Sequence, residues 1–337
     1  MKLLNKEIIN VCQTLVKAGY TAYISGSSAR DLYMGTPRKK FTVDTSATYQ
    51  QLWEMFYPTQ RPKTRKKISE TTSLNCNGVL VQPYFTYNVK NGRSLKVYTP
   101  ERETAQRAKH IYSETLYYDP IKDSWKDPLS ARETIDDELI ALVSPDTDIM
   151  EDKALLLRIP RIAATFNWEI ATQTLDALED NALRAHLITT AELNKEMLKL
   201  LTQADRPSVA FEEWAECKIL DVIFPELLLA HNITQSNKGN LDLFKHIMLC
   251  VDAAPKDRLA IRLAGLLHDI AKPWTMTKSR ENGIHFYGHE WAGAYQSKVI
   301  LRRWGFDEKI CNHVSNLVQH HLFDTNPRLT EAAVRRL

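Results

Sequence analysis

The sequence predicts an α/β domain with a small mixed sheet at the front of the chain, followed by two all-helical domains. In residues 1–130, short apolar runs with strand spacing alternate with amphipathic helical patterns. Further along the chain the apolar residues recur almost entirely at helical spacing. Asn232–Asn240, NITQSNKGN, has the polar, turn-forming composition of a linker. We therefore expect domains at 1–130, 131–232 and 240–337.

The front third begins with an amphipathic helix, in which apolar side chains recur every three or four positions. Ser46 follows a short strand pattern and can cap the next helix, because a serine hydroxyl accepts a hydrogen bond from a free N–H of the first turn. The predicted elements are helices at 5–18, 28–35 and 46–57, strands at 21–25, 41–43, 78–89 and 94–99, and later amphipathic helices at 152–166 and 183–201.

Composition and length are those of an ordinary globular protein. Hydrophobic residues make up 44% and charged residues 25% of the 337 positions. There is no apolar run of transmembrane length, and Met1–Asn10 is too polar for a signal peptide. The five cysteines are scattered and lack CxxC spacing, which favours a reducing cytosol over a disulfide framework or a zinc ribbon. We therefore expect a cytoplasmic protein with no membrane partner.

The charge distribution is uneven along the chain. Residues 1–110 hold 18 Lys and Arg against 7 Asp and Glu, a balance of +11, whereas the whole chain carries +3. A basic front third suits a polyanion such as RNA, although a solvated basic face explains the same charge. The densest basic segment supplies the candidate RNA contacts Arg61, Lys63, Arg65, Lys66 and Lys67.

A turn-and-helix followed by a strand dominates the front domain. The segment is SGSSARDLYMG at 25–35, followed by RKKFTVDTSAT at 38–48. Nucleotidyl transfer uses two metal ions that clamp the attacking and leaving oxygens. Two aspartates at positions i and i+2 of a strand hold such ions economically, because alternate side chains point to the same face. A Gly-rich turn before that strand lets backbone amides approach a triphosphate.

This segment resembles the head domain of class II tRNA nucleotidyltransferases (CCA-adding) and bacterial poly(A) polymerases. The resemblance rests on Gly26, Arg30, Asp31 and Gly35, whereas the second glycine of the family turn is Ser27. It implies a nucleotidyltransferase-like α/β head, RNA as partner, with tRNA or an RNA 3′ end the favoured form, and a nucleotide substrate.

The same alignment places the two metal-binding aspartates of the family at Lys40 and Thr42. Asp44 shares a strand face with Thr42 but is displaced by two residues. The base-reading segment of the family falls on Ala108–Glu114, where only Lys109 keeps a charge of the family pattern. We therefore expect a catalytically degenerate head that still docks RNA through phosphate contacts.

A second set of candidates lies further along the chain. The family's neck helix falls on 156–166 and keeps Arg158 and Arg161 as candidate RNA contacts. Seven of the ten histidines lie between His246 and His321. Among them, His268 is followed by Asp269 in an apolar helix, LAGLLHDIAKP, and such a pair offers a metal ion one nitrogen and one anionic oxygen.

The histidine-rich region resembles the HD phosphohydrolase domain attached to bacterial tRNA nucleotidyltransferases. The resemblance rests on four blocks in order, LDLFKH (241–246), LLHDIAK (266–272), IHFYGHEWAGA (284–294) and LVQHH (317–321). It implies catalytic roles for Asp269 and for Lys272, which pairs with phosphate or braces Asp269. The implied metal ligands are His246, His268 and Asp269, with His289 and one or both of His320 and His321 for a second ion or the substrate phosphate.

The later carboxylate of the HD pattern has two candidates, Asp324 and Glu331. The chain ends within a helical pattern where the resembled family continues, so either the protein itself is shorter than that family or this sequence is a shortened form of it. The favoured function is metal-dependent hydrolysis of a phosphomonoester or 2′,3′-cyclic phosphate on a nucleotide or RNA end, with Mg, Mn, Ni, Fe or Co as the ion. The alternatives are a tRNA nucleotidyltransferase or poly(A) polymerase with an atypical site, and a non-catalytic RNA-binding protein.

Overall fold

The chain folds into two compact units, Met1–Pro145 and Asp146–Leu337. The computed structural model describes residues 4, 6–37, 41–56, 74–76, 79–83, 110–236, 239–279 and 283–322. Among these residues, no helix combines the length and the apolar character that crossing a lipid bilayer requires.

The first unit is built on a six-stranded mixed sheet. The strands lie in the order β3-β4-β2-β1-β5-β6, and all neighbours are antiparallel except β2 and β4, which are parallel. Its strands are β1 Tyr23–Ser25, β2 Thr42–Thr45, β3 Leu74–Cys76, β4 Val79–Pro83, β5 Tyr117–Asp119, β6 Ser124–Lys126 and the short β7 Leu139–Ile140. Its helices are α1 Lys6–Lys17, α2 Ser27–Tyr33, α3 Tyr49–Phe56, α4 Ala131–Asp136 and the 3₁₀ turn Tyr112–Glu114. The predicted α/β head with a small mixed sheet is confirmed.

Side chains at the ends of β1 and β2 fix the pairing of these strands. The Thr21 amide donates to Ser46 Oγ at 2.9 Å, and the Ser46 amide donates to Thr21 Oγ1 at 3.0 Å. The predicted helix cap at Ser46 is therefore wrong, because this hydroxyl serves the strand pair. Thr48 caps α3 instead: its Oγ1 accepts from the Gln51 amide, and Gln51 Oε1 accepts from the Thr48 amide.

Part of the predicted front domain lies outside the residues that the structure describes. The strand predicted at 78–89 is described only for Val79–Pro83. The strand predicted at 94–99 and the basic segment with Arg61, Lys63, Arg65, Lys66 and Lys67 fall wholly outside them.

The second unit is helical, as predicted, with two added β-hairpins. Its helices are α5 Pro145–Glu151, α6 Leu155–Phe166, α7 Thr172–Asp180, α8 Thr190–Gln203, α9 Ser208–Glu216, α10 Leu220–Ile223, α11 Pro225–Leu228, α12 Leu243–Ala253, α13 Leu259–Leu267, α14 Lys272–Thr275, α15 His289–Arg303 and α16 Glu308–Gln319, with a 3₁₀ segment at Ala182–Leu187. Its strands are β8 Glu169–Ile170, β9 Thr234–Ser236, β10 Gly239–Asp242, β11 Thr277–Ser279 and β12 Gly283–His285.

The segment Asn232–Asn240, predicted to be a linker, enters the hairpin of β9 and β10. Asp242 ties this hairpin to the next helix, because its carboxylate caps α12 at the Phe244 amide and also accepts from the Asn232 amide at 2.6 Å. Polar turn-forming residues suit a hairpin as well as a linker, and composition does not separate the two. The boundary between a neck at 131–232 and a domain at 240–337 stays a prediction.

A buried arginine on α13 connects this helix to the ends of α8 and α12. Arg262 on α13 is 2% exposed, and its guanidinium donates to backbone carbonyls at the end of α8 and just beyond it. The acceptors are Leu201, Ala204, Asp205 and, at the end of α12, Ala254. Carbonyls at a helix end lack N–H partners within the helix, and one guanidinium satisfies several of them.

A proline inside α6 leaves a carbonyl for a tryptophan. Pro160 has no N–H, so it cannot donate to the Leu156 carbonyl one turn earlier. The indole of buried Trp214, on α9, donates to that carbonyl at 3.1 Å. The pair thus fixes α9 against the proline turn of α6.

We predict that Trp214→Phe lowers the free energy of unfolding by about 1–3 kcal/mol, because it leaves a buried carbonyl unpaired. In a Pro160→Ala background the same change should cost about 1 kcal/mol less, because an alanine N–H at 160 can bond the Leu156 carbonyl. Urea unfolding of the four proteins of this double-mutant cycle measures the difference. Equal costs in the two backgrounds would contradict the pairing.

Candidate metal centre

Four helices meet closely enough to bring histidines together. Gly265 lets α13 approach α12, because a Cβ at this position would lie 3.1 Å from the Cys250 carbonyl oxygen. Gly293 does the same for α15, because its Cβ would lie 3.2 Å from Val318 Cγ1 on α16 and 3.4 Å from the His268 carbonyl oxygen. Side chains larger than hydrogen at these two positions would push the helices apart.

Asp269 lies at the centre of the cluster and is 1% exposed. Its Oδ2 lies 3.3 Å from His246 Nε2 and 3.1 Å from His268 Nε2. Its Oδ1 lies 3.4 Å from His289 Nε2 and 3.7 Å from His321 Nε2. The two nitrogens of each pair are 3.1 Å and 3.2 Å apart, respectively. One carboxylate therefore separates two pairs of imidazole nitrogens.

Backbone carbonyls orient three of the four imidazole rings. Because a carbonyl only accepts hydrogen bonds, each of these rings must carry its proton on Nδ1. The Nε2 lone pairs are then free and point at the cluster, which is the arrangement of metal-binding histidines. The Nδ1 contacts are 2.9 Å from His268 to Gly265, 2.6 Å from His289 to Phe286 and 2.6 Å from His321 to Val318.

The environment keeps Asp269 ionised. Burial by itself would raise the pKa of this carboxyl, but its close contacts with the imidazoles of His246, His268 and His289 outweigh burial and hold the pKa well below its usual range. Lys272 Nζ also donates to Oδ2 at 2.7 Å. The sequence left two roles open for Lys272, pairing with phosphate or bracing Asp269. In the structure its ammonium group contacts Asp269.

The histidines respond to the same carboxylate in different ways. The hydrogen bond to Asp269, followed by that to Cys250, raises the pKa of His246 to about 9. Burial lowers the pKa of His289, but its contacts with Asp269 and the Phe286 carbonyl reverse the direction, and the net shift is upward. Burial dominates at His321 and lowers its pKa.

The residues of this cluster fit a divalent cation. Among the described residues, Asp269 Oδ1 is a buried acceptor without a hydrogen-bond partner. The Nε2 atoms of His289 and His321 lie 3.2 Å apart with their Nδ1 protons directed at backbone carbonyls, and two such lone pairs repel unless a proton or a cation lies between them. Imidazole nitrogen with carboxylate oxygen is a donor set that suits Mn, Fe, Co, Ni and Zn ions.

The structure brings together most of the predicted ligands, and of the neighbouring residues His320 and His321 only one joins the cluster. His321 enters the cluster, whereas His320 is the residue that ends α16. His285 stacks on Tyr287 with ring centroids 5.1 Å apart, and His313 is exposed. The two carboxylate candidates, Asp324 and Glu331, lie outside the part of the chain that the structure describes.

Sequence reasoning missed Cys250. This residue follows His246 by one turn of α12, and its Sγ lies 3.6 Å from His246 Nε2. His246, Cys250 and His268 offer ligand atoms that all lie within 4.8 Å of one another. The signal was the spacing of four between His246 and Cys250, which places both on one helix face.

The head keeps the shape of the predicted transferase turn. Gly26 precedes α2 with a φ of 61°, a left-handed conformation that favours glycine. Arg30 is buried and donates to Asp31 Oδ1 through Nε at 3.0 Å and Nη2 at 2.8 Å. Asp44 is buried on β2, and Thr42 stands two residues earlier on the same strand. The other predicted substitution, Lys40, lies outside the described residues.

The arginines of the predicted neck helix are engaged by acids. Arg161 is buried and donates to Glu196 Oε2 at 2.6 Å, and Glu196 is itself 1% exposed. Arg158 pairs with Asp152 at 3.0 Å and keeps a quarter of its side chain exposed. The prediction of an RNA contact therefore suits Arg158 better than Arg161, whose charge neutralises a buried carboxylate.

Comparison with known proteins agrees with this geometry. Residues 229–336 match the HD domain family. The chain is 27% identical over 240 residues to poly(A) polymerase I of Salmonella typhi. The aligned region covers 67% of this chain and 51% of that protein. It is 29% identical over 186 residues to the CC-adding tRNA nucleotidyltransferase of Thermus thermophilus, which covers 52% and 43%, respectively. The resemblance predicted from the sequence is confirmed.

A solved structure shows the same fold. The Bacillus stearothermophilus CCA-adding enzyme in complex with CTP aligns with a TM-score of 0.64 at 20% identity, over 98% of this chain and 73% of that chain. Because the two sequences are only 20% identical, this structural similarity shows the fold alone. The chain spans about half the length of the curated relatives that it matches.

The raised pKa of His246 gives a prediction about pH. In the metal-free protein, protonation of His246 stabilises the fold below its ordinary pKa of 6.5, and this contribution is lost as pH rises through about 9. An ion at the cluster needs the neutral ring, so the stabilisation that the ion provides should grow over the same range. Melting temperatures with and without Mn²⁺ at several pH values measure this.

The matched control is His246→Gln, in which the difference between the two melting temperatures should depend less on pH. A metal-induced stabilisation of the wild type that stays constant from pH 6.5 to 9 would count against proton displacement from His246.

Proposed function

We propose that the HD domain at 229–336 is a metal-dependent phosphohydrolase that acts on a phosphomonoester or 2′,3′-cyclic phosphate of a nucleotide or RNA end. The observation that carries this proposal is the buried Asp269, whose two oxygens each face a pair of imidazole nitrogens. An ion held by such a set lowers the pKa of water and polarises a phosphate.

The roles of the side chains follow from their placement. Asp269 supplies the negative charge that favours a cation, and Lys272 holds its Oδ2 through a 2.7 Å hydrogen bond. His268, His289 and His321 supply Nε2 atoms whose direction is set by backbone carbonyls. Because the rings are already oriented, little reorganisation is needed when an ion binds.

Substrate can reach the cluster from one side. The His246 and His268 side chains are 30% and 14% exposed, respectively, whereas that of Asp269 is 2% exposed. A cavity of about 610 Å³ opens beside His268 and His321. The rest of its wall is mainly apolar: Cys250, Ala253, Ala254, Pro255, Ile261, Ala264 and Gly265. A phosphate at the cluster with an apolar or flat group in this cavity suits a nucleotide or an RNA end.

Two variants test the hydrolase. Asp269→Ala should abolish metal retention, because it removes the only anionic oxygens among the five ligand groups of the cluster described above. His268→Ala should reduce metal content and turnover by on the order of 100-fold or more, since changes that only disturb a ligand already cost about 10–100-fold. Exposed His313→Ala is the control and should behave as wild type.

The measurements are bound metal by mass spectrometry and turnover on 2′,3′-cyclic AMP and p-nitrophenyl phosphate. Wild-type metal content and turnover in both Asp269→Ala and His268→Ala would contradict the ligand assignment. A wild-type chain that binds no ion and hydrolyses neither compound, yet binds RNA, would favour the non-catalytic RNA-binding alternative.

Nucleotidyl transfer is the second candidate, and the comparisons support it more directly than they support hydrolysis. The two curated relatives described above are named as a poly(A) polymerase and a tRNA nucleotidyltransferase. The turn at Gly26 and the Arg30–Asp31 pair also keep the shape of a transferase head. Against this candidate, the sequence has Lys40 and Thr42 where the family has its metal-binding aspartates. We propose that the head has lost transfer activity and docks tRNA or a similar RNA.

Transfer is tested with labelled CTP or ATP and a tRNA that lacks its 3′-terminal CCA. We expect no incorporation by wild type, because Lys40 adds a positive charge where cations are needed. The double variant Lys40→Asp/Thr42→Asp should also remain inactive, because the base-reading segment at 108–114 is altered as well. Incorporation by the wild type establishes the second candidate. Incorporation by the double variant alone limits the loss to the metal site.

A further inference from the structure

We infer that Cys250 binds the metal ion as a thiolate, together with His246 and His268, and that it directs this position toward zinc-like ions. The inference rests on the metal centre of the proposed function but concerns a residue that the HD resemblance does not include. It does not depend on whether the centre hydrolyses any substrate.

The fold presents Cys250 to the centre through two separate features. Cys250 lies one helical turn after His246 on α12, which places both side chains on the same face. Gly265 brings α13 against the Cys250 backbone, and His268 follows Gly265 by three residues. The thiol therefore lies where α13 packs closely against α12.

The distances match those of a tetrahedral ion with sulfur and nitrogen ligands. Zn–S and Zn–N bonds of about 2.3 Å and about 2.05 Å at tetrahedral angles separate sulfur from nitrogen by about 3.6 Å and two nitrogens by about 3.3 Å. Here Cys250 Sγ lies 3.6 Å from His246 Nε2, and the Nε2 atoms of His246 and His268 are 3.1 Å apart. Asp269 Oδ2, 3.1 Å from His268 Nε2, is available as the fourth ligand.

Cys250 also differs from the other cysteines whose side chains the structure describes. Cys12, Cys217 and Cys311 are at most 4% exposed and belong to the packed core. Cys250 is half-buried and lines the cavity that opens beside His268 and His321. A packing role alone does not account for a thiol that faces both a histidine nitrogen and this open cavity.

A thiolate at this position changes which ions the centre prefers. Binding exchanges the thiol proton, which is released to solvent, for a bond between sulfur and the ion. Soft sulfur with imidazole nitrogen favours zinc, cobalt and iron(II) over magnesium, which prefers oxygen ligands. Among the residues that the structure describes, the group of Asp269, His289 and His321 includes no thiol, so the two sides of Asp269 are chemically different there.

Cobalt(II) titration of the metal-stripped full-length chain tests the assignment, because sulfur bound to cobalt gives a charge-transfer absorption in the near ultraviolet. Wild type should show this absorption, Cys250→Ala should lack it, and the matched control Cys217→Ala should keep it. Zn²⁺ affinity, measured by competition with a chelator, should fall by on the order of 100-fold in Cys250→Ala. Cys250→Asp should bind Mn²⁺ with a smaller loss than Zn²⁺.

A second measurement uses the wild-type chain and so does not depend on the folding of a variant. Zn²⁺ should slow alkylation of Cys250 by iodoacetamide, read by peptide mass spectrometry, whereas Mg²⁺ should not. The inference is overturned if the cobalt absorption is absent from wild type or persists in Cys250→Ala, or if Zn²⁺ leaves alkylation of Cys250 unchanged. Sulfur-bound cobalt in a chain that hydrolyses no phosphate would refute the proposed hydrolase and leave the Cys250 assignment standing.

Discussion

The arrangement of helices around the histidine cluster depends on one buried negative charge, that of Asp269. Asp269 is almost fully inaccessible, and a carboxylate in such a place is tolerated only with partners that favour its ionised form. Those partners come from the ends of several helices, His246 from α12, His268 from α13, His289 from α15 and His321 from just beyond α16. The close helix approaches at Gly265 and Gly293 exist where these side chains must converge on one carboxylate.

The two units differ in what they have kept. The first keeps the residues that shape its turn, with Gly26 in a left-handed conformation and Arg30 buried against Asp31. The position where a metal-binding acid is expected holds Thr42 on β2. The second unit brings Asp269 together with four histidines in one cluster.

The parts of the centre that could be predicted are those encoded locally. His268 and Asp269 are adjacent in an apolar helix, and His246 belongs to a block that precedes them in order. The choice of His321 over His320 depends on where α16 ends, which the sequence pattern does not resolve to one residue. The spacing of four places Cys250 on the helix face of His246, but only the close approach of α12 and α13 at Gly265 brings it near His268, and the sequence does not show that contact. The pairing of β9 with β10 was missed for a similar reason, since composition does not reveal which segments pair.

The guanidinium of Arg262 has a consequence for how the protein can be dissected. Its acceptors at Leu201, Ala204 and Asp205 belong to the segment before residue 232, while Arg262 itself sits on the helix that leads to His268. A fragment that began at residue 240 would keep a buried cation and discard most of its acceptors. We therefore expect the helices on either side of the hairpin to unfold together, so that the part with the histidine cluster depends on the preceding segment for some of its stability.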